Sequence, residues 1–358
     1  MRPLVRKALG GSLRDIRHVE AVRPAAARGL VARVYAQAER DFGLVAPPLA
    51  LHSPAPATLA AAWALLRETL LVPGRVGRAA KETVATAVSL ANQCPYCVEI
   101  HQAKLDTLPA AGGLGPLADW ARTTAGPAGE ESRPPFGSDD AAEILGVAVT
   151  FHYLNRMVGL FLPESPVPPS APAAVRGTVL RTVARAMRPA VGTTPRPGDS
   201  LDLLPAAPLP PALDWAEGSP SVAGALARAV AAVDSAGHWI PDGVRELLHT
   251  HRAAPGPSRA WLEEALAGTG TADLPAARLA LLVARAPYQV TDTDIDDFRA
   301  AHPGDGRLVE LASWAALTTA VGIGARLRLP APRNRTHGTR PGARTGDTTP
   351  FHRQETRR

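Results

Sequence analysis

Strand signals are nearly absent from this chain of 358 residues: no run of alternating β-branched residues stands out, and no Asn-Gly or Asp-Gly turn joins two apolar runs. Sheet-built folds are excluded on that ground. Aromatics make up only 4% of the residues, and no stretch approaches the ~18 consecutive apolar residues that a membrane helix needs. The first 23 residues hold six basic side chains with no apolar h-region behind them. No Gly-rich phosphate loop sits on a strand-to-helix turn, so nucleotide and flavin cofactors have no support. The expectation is a soluble, cytoplasmic protein, off the membrane and without a cofactor. Cysteine is scarce as well: there are two, both in one tetrapeptide, too few for a secreted disulfide scaffold.

The formal net charge of +6 is concentrated at one end. Residues 330–358 carry seven arginines against Asp347 and Glu355, a net of +5, which leaves the rest of the chain near neutral. A segment of Pro, Gly, Thr and Arg buries too little apolar surface to fold, so these residues are expected to form a disordered basic tail. With the charge confined there, a nucleic-acid partner has little support.

What the sequence does contain is helical periodicity, with 46% hydrophobic residues to fill a core and 36 prolines to punctuate it. The spacing predicts helices over 25–41, 57–71, 78–91, 94–105, 139–162 and 171–187, then over 222–236, 241–251, 258–267, 275–285, 292–301 and 307–327. Eight prolines fall between Pro189 and Pro220, the clearest internal break. Leu201, Leu203, Leu204, Leu209 and Trp215 make that segment too apolar for a free linker, so it is expected to lie across the body. A Gly/Pro-rich loop over 126–137 is expected at the surface. The halves on either side of the break read as a diverged repeat. Pro95-Tyr96 recurs as Pro287-Tyr288 after a similar helix, and the long helix from Glu143 has a counterpart near Glu310. That register sets Leu274 under Glu82, Ala286 under Cys94, Gln289 under Cys97 and Thr293 under His101, so the second copy keeps the scaffold without the reactive residues. The expected division is 1–56 as a helical extension, 57–188 as the catalytic unit, 189–220 as connector, 221–329 as the degenerate unit and 330–358 as the tail.

The informative segment runs from Glu82 to His101 and reads E-x11-C-x-x-C-x3-H. Pro95 suits the first position of a helix, which sets Cys94 at the N-cap and Cys97 in the first turn. The unpaired N–H groups and the macrodipole at that end favour thiolates. Spacing of i, i+3 brings the Cα atoms within disulfide reach. His101, four residues past Cys97, lies beside that sulfur and can take its proton directly or through a water. On one straight helix Glu82 would be ~22 Å from Cys97, so it joins the site only if the chain reverses at Asn92-Gln93. The trio is then carboxylate, imidazole and thiol.

Three other readings compete. Structural zinc wants four ligands, and no second C-x-x-C or paired histidine exists to complete the set. Two inert buried cysteines would pack as small hydrophobes, but that leaves the joint spacing of Glu, Cys and His unexplained. A thioredoxin site needs strands around its C-x-x-C.

On these residues the segment resembles the active-site motif of the alkylhydroperoxidase AhpD-like proteins, within the carboxymuconolactone decarboxylase superfamily. The segment Phe151-His-Tyr-Leu-Asn-Arg156 is similar to the helix that follows in that family. The resemblance implies an all-α fold, a helical bundle of two diverged AhpD-like repeats, the second without the catalytic motif and standing as a wall of the first unit's site. It implies a thiol-dependent peroxidase in which Cys97 attacks the peroxide, Cys94 resolves the sulfenic acid, and Glu82 and His101 relay protons. A dithiol reductant protein, which can be lipoyl-bearing, is the implied partner, and trimers or larger rings the implied assembly. One departure is Tyr96, which stands where AhpD has a histidine. The decarboxylases of the superfamily lack the cysteine pair. A dithiol-disulfide oxidoreductase without a peroxide substrate, and a non-enzymatic redox sensor or scaffold, are the alternatives.

Other polar residues read as structural. His152 and Arg156 are expected as a packed histidine and an interface arginine, Trp63, Trp215 and Trp314 as core, and Glu99 as a solvated face residue.

Overall fold

A computed structural model describes residues 12–109, 112–127, 132–168, 170–251 and 258–327, so the basic tail of 330–358 lies outside the described residues. Every regular element among them is helical. The first half holds α1 (Gly29–Asp41), α2 (Pro56–Leu66), α3 (Arg78–Ala91), α4 (Pro95–Leu105), α5 (Gly115–Thr123), α6 (Ser138–Phe161) and α7 (Ala173–Ala186). The second holds α8 (Pro220–Ala236), α9 (Asp242–Thr250), α10 (Ala260–Ala265), α11 (Leu274–Arg285), α12 (Asp292–Ala301) and α13 (Asp305–Arg326). Five of these helices carry proline in the first turn, namely Pro56, Pro95, Pro116, Pro220 and Pro275. There the missing N–H costs nothing and the fixed φ suits the helix, which accounts for part of the high proline content.

The periodicity anticipated most of these spans to within a few residues. Helix α5 was not anticipated; it buries Leu117, Trp120 and Ala121. The stretch expected as one helix over 57–71 changes hand-hold at Arg67–Leu71, where a π turn follows α2. In the loop over 126–137 the described part runs along the surface, with Phe136 edge-on to Trp120 at 4.8 Å.

Helix α2 is apolar on all sides and accordingly lies wholly inside the core, with Leu59, Trp63 and Leu65 at zero exposure. Helices α6 and α13 are long and apolar enough by length and composition to cross a membrane. Their most apolar windows are 89% and 67% buried within the chain, as core helices are. Between the halves, α2 lies against α8, and α6 against α13. One apolar cluster runs through both halves.

The 189–220 segment lies across the body as expected. Ala190 donates its N–H to the carbonyl of Arg40 at 2.8 Å. Glu68 accepts from the N–H of Gly198 and the hydroxyl of Ser200, while Arg67 donates to the carbonyl of Arg196. Trp215, expected as core, is half-buried and donates its indole N–H to Gly324.

At the repeat register the two halves diverge. Helix α4 starts directly after Cys94, whereas in the second half Pro287–Gln289 forms one 3-10 turn and α12 starts only at Asp292. Thr291 caps α12 reciprocally with Asp294. Pro287 presses on α6 at Gly159, where a Cβ would lie 3.1 Å from the proline Cγ.

Candidate active site

The site begins with the turn between α3 and α4. Cys94 donates its N–H to the carbonyl of Ser89 at 3.0 Å and Gln93 to that of Leu90 at 3.1 Å, the paired bonds of a Schellman C-cap. Gln93 occupies the left-handed position at φ +54°, where glycine is usual and a side chain costs roughly 1–2 kcal/mol. The turn lays α4 back along α3, so Glu82 reaches His101 across it.

Glu82 is fully buried, and its Oε2 accepts a 2.7 Å hydrogen bond from Nδ1 of His101. Oε1 accepts from Arg78, one turn earlier on α3, at 2.8 Å. Burial pushes the Glu82 carboxyl up, but Arg78 and His101 outweigh it and bring the group down to about 2. An ionised carboxylate only accepts, so the proton of neutral His101 belongs on Nδ1. Its Nε2 is then left with a lone pair, the form a general base requires. The ring is steadied edge-on by Phe151 at 4.6 Å.

Cys94 caps α4 and Cys97 lies in its first turn; both are free and buried. The thiol of Cys97 gives a hydrogen bond to Cys94, which lowers Cys94 below the ordinary thiol range against the pull of burial. The same bond, with burial, pushes Cys97 well above it. Of the two sulfurs, Cys94, at the positive end of the helix, is thus the one that favours the thiolate. No hydrogen bond joins His101 to either sulfur among the described residues; the imidazole stands one turn along the same face from Cys97.

Sequence reasoning missed the support beneath the pair. Asn155 on α6 stands beneath the pair, and its side chain acts to lower each thiol, against a net rise for Cys97. Its amide also donates to Ser89 Oγ at 3.0 Å, and its Oδ1 accepts from Asn92 at 2.9 Å. Asn92 donates as well to Nδ1 of His152 at 3.1 Å, and Nε2 of that ring bonds Thr124 Oγ1 at 2.9 Å. Thr124 spends its own proton on Ala121, so it accepts from His152 and fixes the tautomer. Burial keeps His152 well below the ordinary histidine range, hence neutral. His152 is thus a packed histidine whose bonds orient Asn92 and, through it, the Asn155 amide. Arg78 was missed as well, although its i, i+4 spacing to Glu82 could have signalled it. For Asn155, on a distant helix, no local signal existed. Arg156 is an interface arginine, donating to the carbonyl of Ala284 in α11 at 2.9 Å. Glu99, expected on a solvated face, is instead half-buried and bound by Ser165 at 2.6 Å and Arg176 at 3.3 Å.

A groove of about 660 Å³ reaches the pair through Cys94 and Tyr96. Leu90, Val158 and Leu160 line it from the first half, and Pro287, Tyr288 and Val290 from the second. Cys97 is not among its lining residues. Among the described residues no group of three or more His, Cys, Asp or Glu side chains converges as a metal site.

Two likenesses to known proteins bear on this geometry. Residues 57–106 match the model of the carboxymuconolactone decarboxylase family. The chain is also 40% identical over 338 residues to an alkyl hydroperoxide reductase of Mycobacterium tuberculosis, across 87% of this chain and 95% of that protein.

Proposed function

The chain belongs to the carboxymuconolactone decarboxylase family, in its AhpD-like branch, and on that footing we propose that it reduces peroxides through Cys94 and Cys97, with Glu82 and His101 as the proton relay. It is an oxidoreductase of the peroxidase type. The observation that carries the finer reading is the His101–Glu82 hydrogen bond on the helix that opens with two free thiols.

In this cycle His101 takes the proton of Cys97, and the thiolate attacks the terminal peroxide oxygen. The S–O bond forms, the O–O bond breaks, and the departing alkoxide takes a proton from the imidazolium. Cys94 then attacks the sulfenic sulfur, forming the disulfide and releasing water. A dithiol-bearing partner protein supplies two electrons by exchange and restores both thiols. A cytoplasmic location and homo-oligomeric association complete the proposal.

Two observations favour a second division of labour. Cys94 lines the groove while Cys97 does not, and the thiol of Cys94 is lowered while that of Cys97 is raised. On this reading Cys94 attacks and Cys97 resolves.

The test is consumption of cumene hydroperoxide with dihydrolipoamide as reductant, comparing wild type with Cys97→Ser, Cys94→Ser and His101→Ala. Turnover lost in both serine variants, with one sulfenic acid trapped in Cys94→Ser only, supports attack by Cys97. Trapping in Cys97→Ser only assigns attack to Cys94. A wild type whose disulfide cycles without consuming any peroxide would sink the peroxidase and leave a dithiol-disulfide oxidoreductase.

A further inference from the structure

Of the chain's four tyrosines, Tyr35, Tyr96 and Tyr153 are buried. A buried phenol usually gives its proton to a fixed partner. Tyr35 donates to the carbonyl of Val22 at 2.9 Å, and Tyr153 to Ser313 Oγ at 3.3 Å. Tyr96 makes no such bond with any described residue, although it stands between the two cysteines in the first turn of α4 and lines the groove beside Cys94. A hydroxyl held there is a donor for whatever oxygen enters the groove.

The relay that serves Cys97 does not open onto this groove, for neither His101 nor Glu82 lines it. Of the groups that do, Arg17 is engaged by the carbonyl of Leu162, and Glu99 by Ser165 and Arg176. The charges that bear on His18 are those of Asp292, Arg17, Arg299 and Asp296, with neither sulfur among them. Tyr96, by contrast, feels both sulfurs. Burial, then the charges of Cys97, Asp15 and Cys94, hold its phenol above the ordinary tyrosine range, so it stays protonated.

We propose that Tyr96 is a catalytic residue of the groove, donating its hydroxyl proton to the oxygen that leaves when Cys94 attacks a peroxide. The inference rests on the peroxidase reading and on its second division of labour. There the Cys94 thiolate attacks the terminal oxygen, the S–O bond forms, and the electron pair of the breaking O–O bond departs on the leaving oxygen. That oxygen takes the phenol proton and leaves as alcohol or water. The phenolate regains a proton from solvent, replacing the one that Cys94 lost to solvent on ionising. Cys97 then condenses with the sulfenic acid, giving the disulfide and water. Even a raised phenol can protonate a leaving hydroxide, whose conjugate acid is water with a pKa of about 15.7.

The experiment is single-turnover oxidation of the reduced full-length enzyme, without reductant, by cumene hydroperoxide and by peracetic acid, in wild type and Tyr96→Phe. An alkoxide must be protonated as it leaves, whereas the acetate released by the peracid, conjugate to a carboxylic acid of pKa about 4, needs no donor. The cumene hydroperoxide rate is expected to fall about 10²-fold in Tyr96→Phe, the lower end of what a positioned acid supplies. The peracetic acid rate, and the rate of thiol alkylation by iodoacetamide, stay at their wild-type values. An equal loss with both oxidants would leave Tyr96 a packing role and overturn the proposal, and so would an undiminished cumene hydroperoxide rate. Sulfenic acid trapped in Cys94→Ser only would overturn it too, by moving the attack to Cys97. A wild type that peracetic acid oxidises and cumene hydroperoxide does not would overturn the peroxidase reading itself.

Discussion

His101 gives its Nδ1 proton to Glu82 at 2.7 Å although nineteen residues and a chain reversal separate them. That bond fixes the imidazole's tautomer and leaves Nε2 free to act on a thiol. The carboxylate is wholly buried and draws its ionised state from Arg78 and His101. Orientation of the base is thus bought with a buried charge, which makes the site sensitive to conservative changes.

Glu82→Gln keeps the shape and removes the charge. An amide can donate to Nδ1 and move the imidazole proton to Nε2, which abolishes the base. Peroxide turnover is expected to fall by about 10²–10⁴, the usual contribution of a general base, with kcat affected more than KM. Stopped-flow oxidation and far-ultraviolet dichroism on the same sample separate this from unfolding.

The same carboxylate links stability to acid. Its folded value, about 2, lies below the ordinary glutamate value of 4.5, so the native state binds fewer protons between the two. The stability it contributes is full above 4.5 and is lost as the pH falls through about 2, on the order of 3 kcal/mol in all. Urea midpoints measured across that window should fall steeply in wild type and less steeply in Glu82→Gln.

His52 acts in a milder window. Burial lowers it from 6.5 to about 4, and its Nδ1 bonds the carbonyl of Leu49. The neutral form is the one the fold holds, so its contribution is present above 6.5 and is lost as the pH falls toward about 4. Melting temperatures should decline through that interval, and His52→Gln should flatten the decline.

Asn155→Ala removes the amide that acts to lower both thiols and is expected to raise the thiol titration of the pair. The ultraviolet absorbance of thiolate, followed against pH, reads the shift directly. Asn155→Asp should raise it further, because a carboxylate repels the thiolate. An unshifted titration in both variants would remove Asn155 from the site.

Arg67 is fully buried between Asp41 at 2.7 Å and Glu68, and it also holds the carbonyl of Arg196. Arg67→Ala leaves the buried Glu68 carboxylate without its cation, while Asp41 keeps Arg40, a loss of about 3–5 kcal/mol. Urea denaturation should show that loss, and limited proteolysis should open the 189–200 stretch first.

Much was legible before any coordinates because the governing signals are local. Helical periodicity, prolines at first turns and the E-x11-C-x-x-C-x3-H spacing determined an all-helical chain, and set Cys94 at an N-cap with His101 one turn from Cys97. The reversal that carries Glu82 to His101 was anticipated at Asn92-Gln93, although a glutamine in the left-handed position hid the cap that glycine would have announced. What tertiary structure alone decided is long-range: the opposite shifts of the two thiols, the Asn155–Asn92–His152–Thr124 chain beneath them, and which second-half residues, Pro287, Tyr288 and Val290, form the wall that the repeat led one to expect. None of these has a spacing to read. Each depends on which helices press together, and so on the burial and hydrogen bonding that packing imposes.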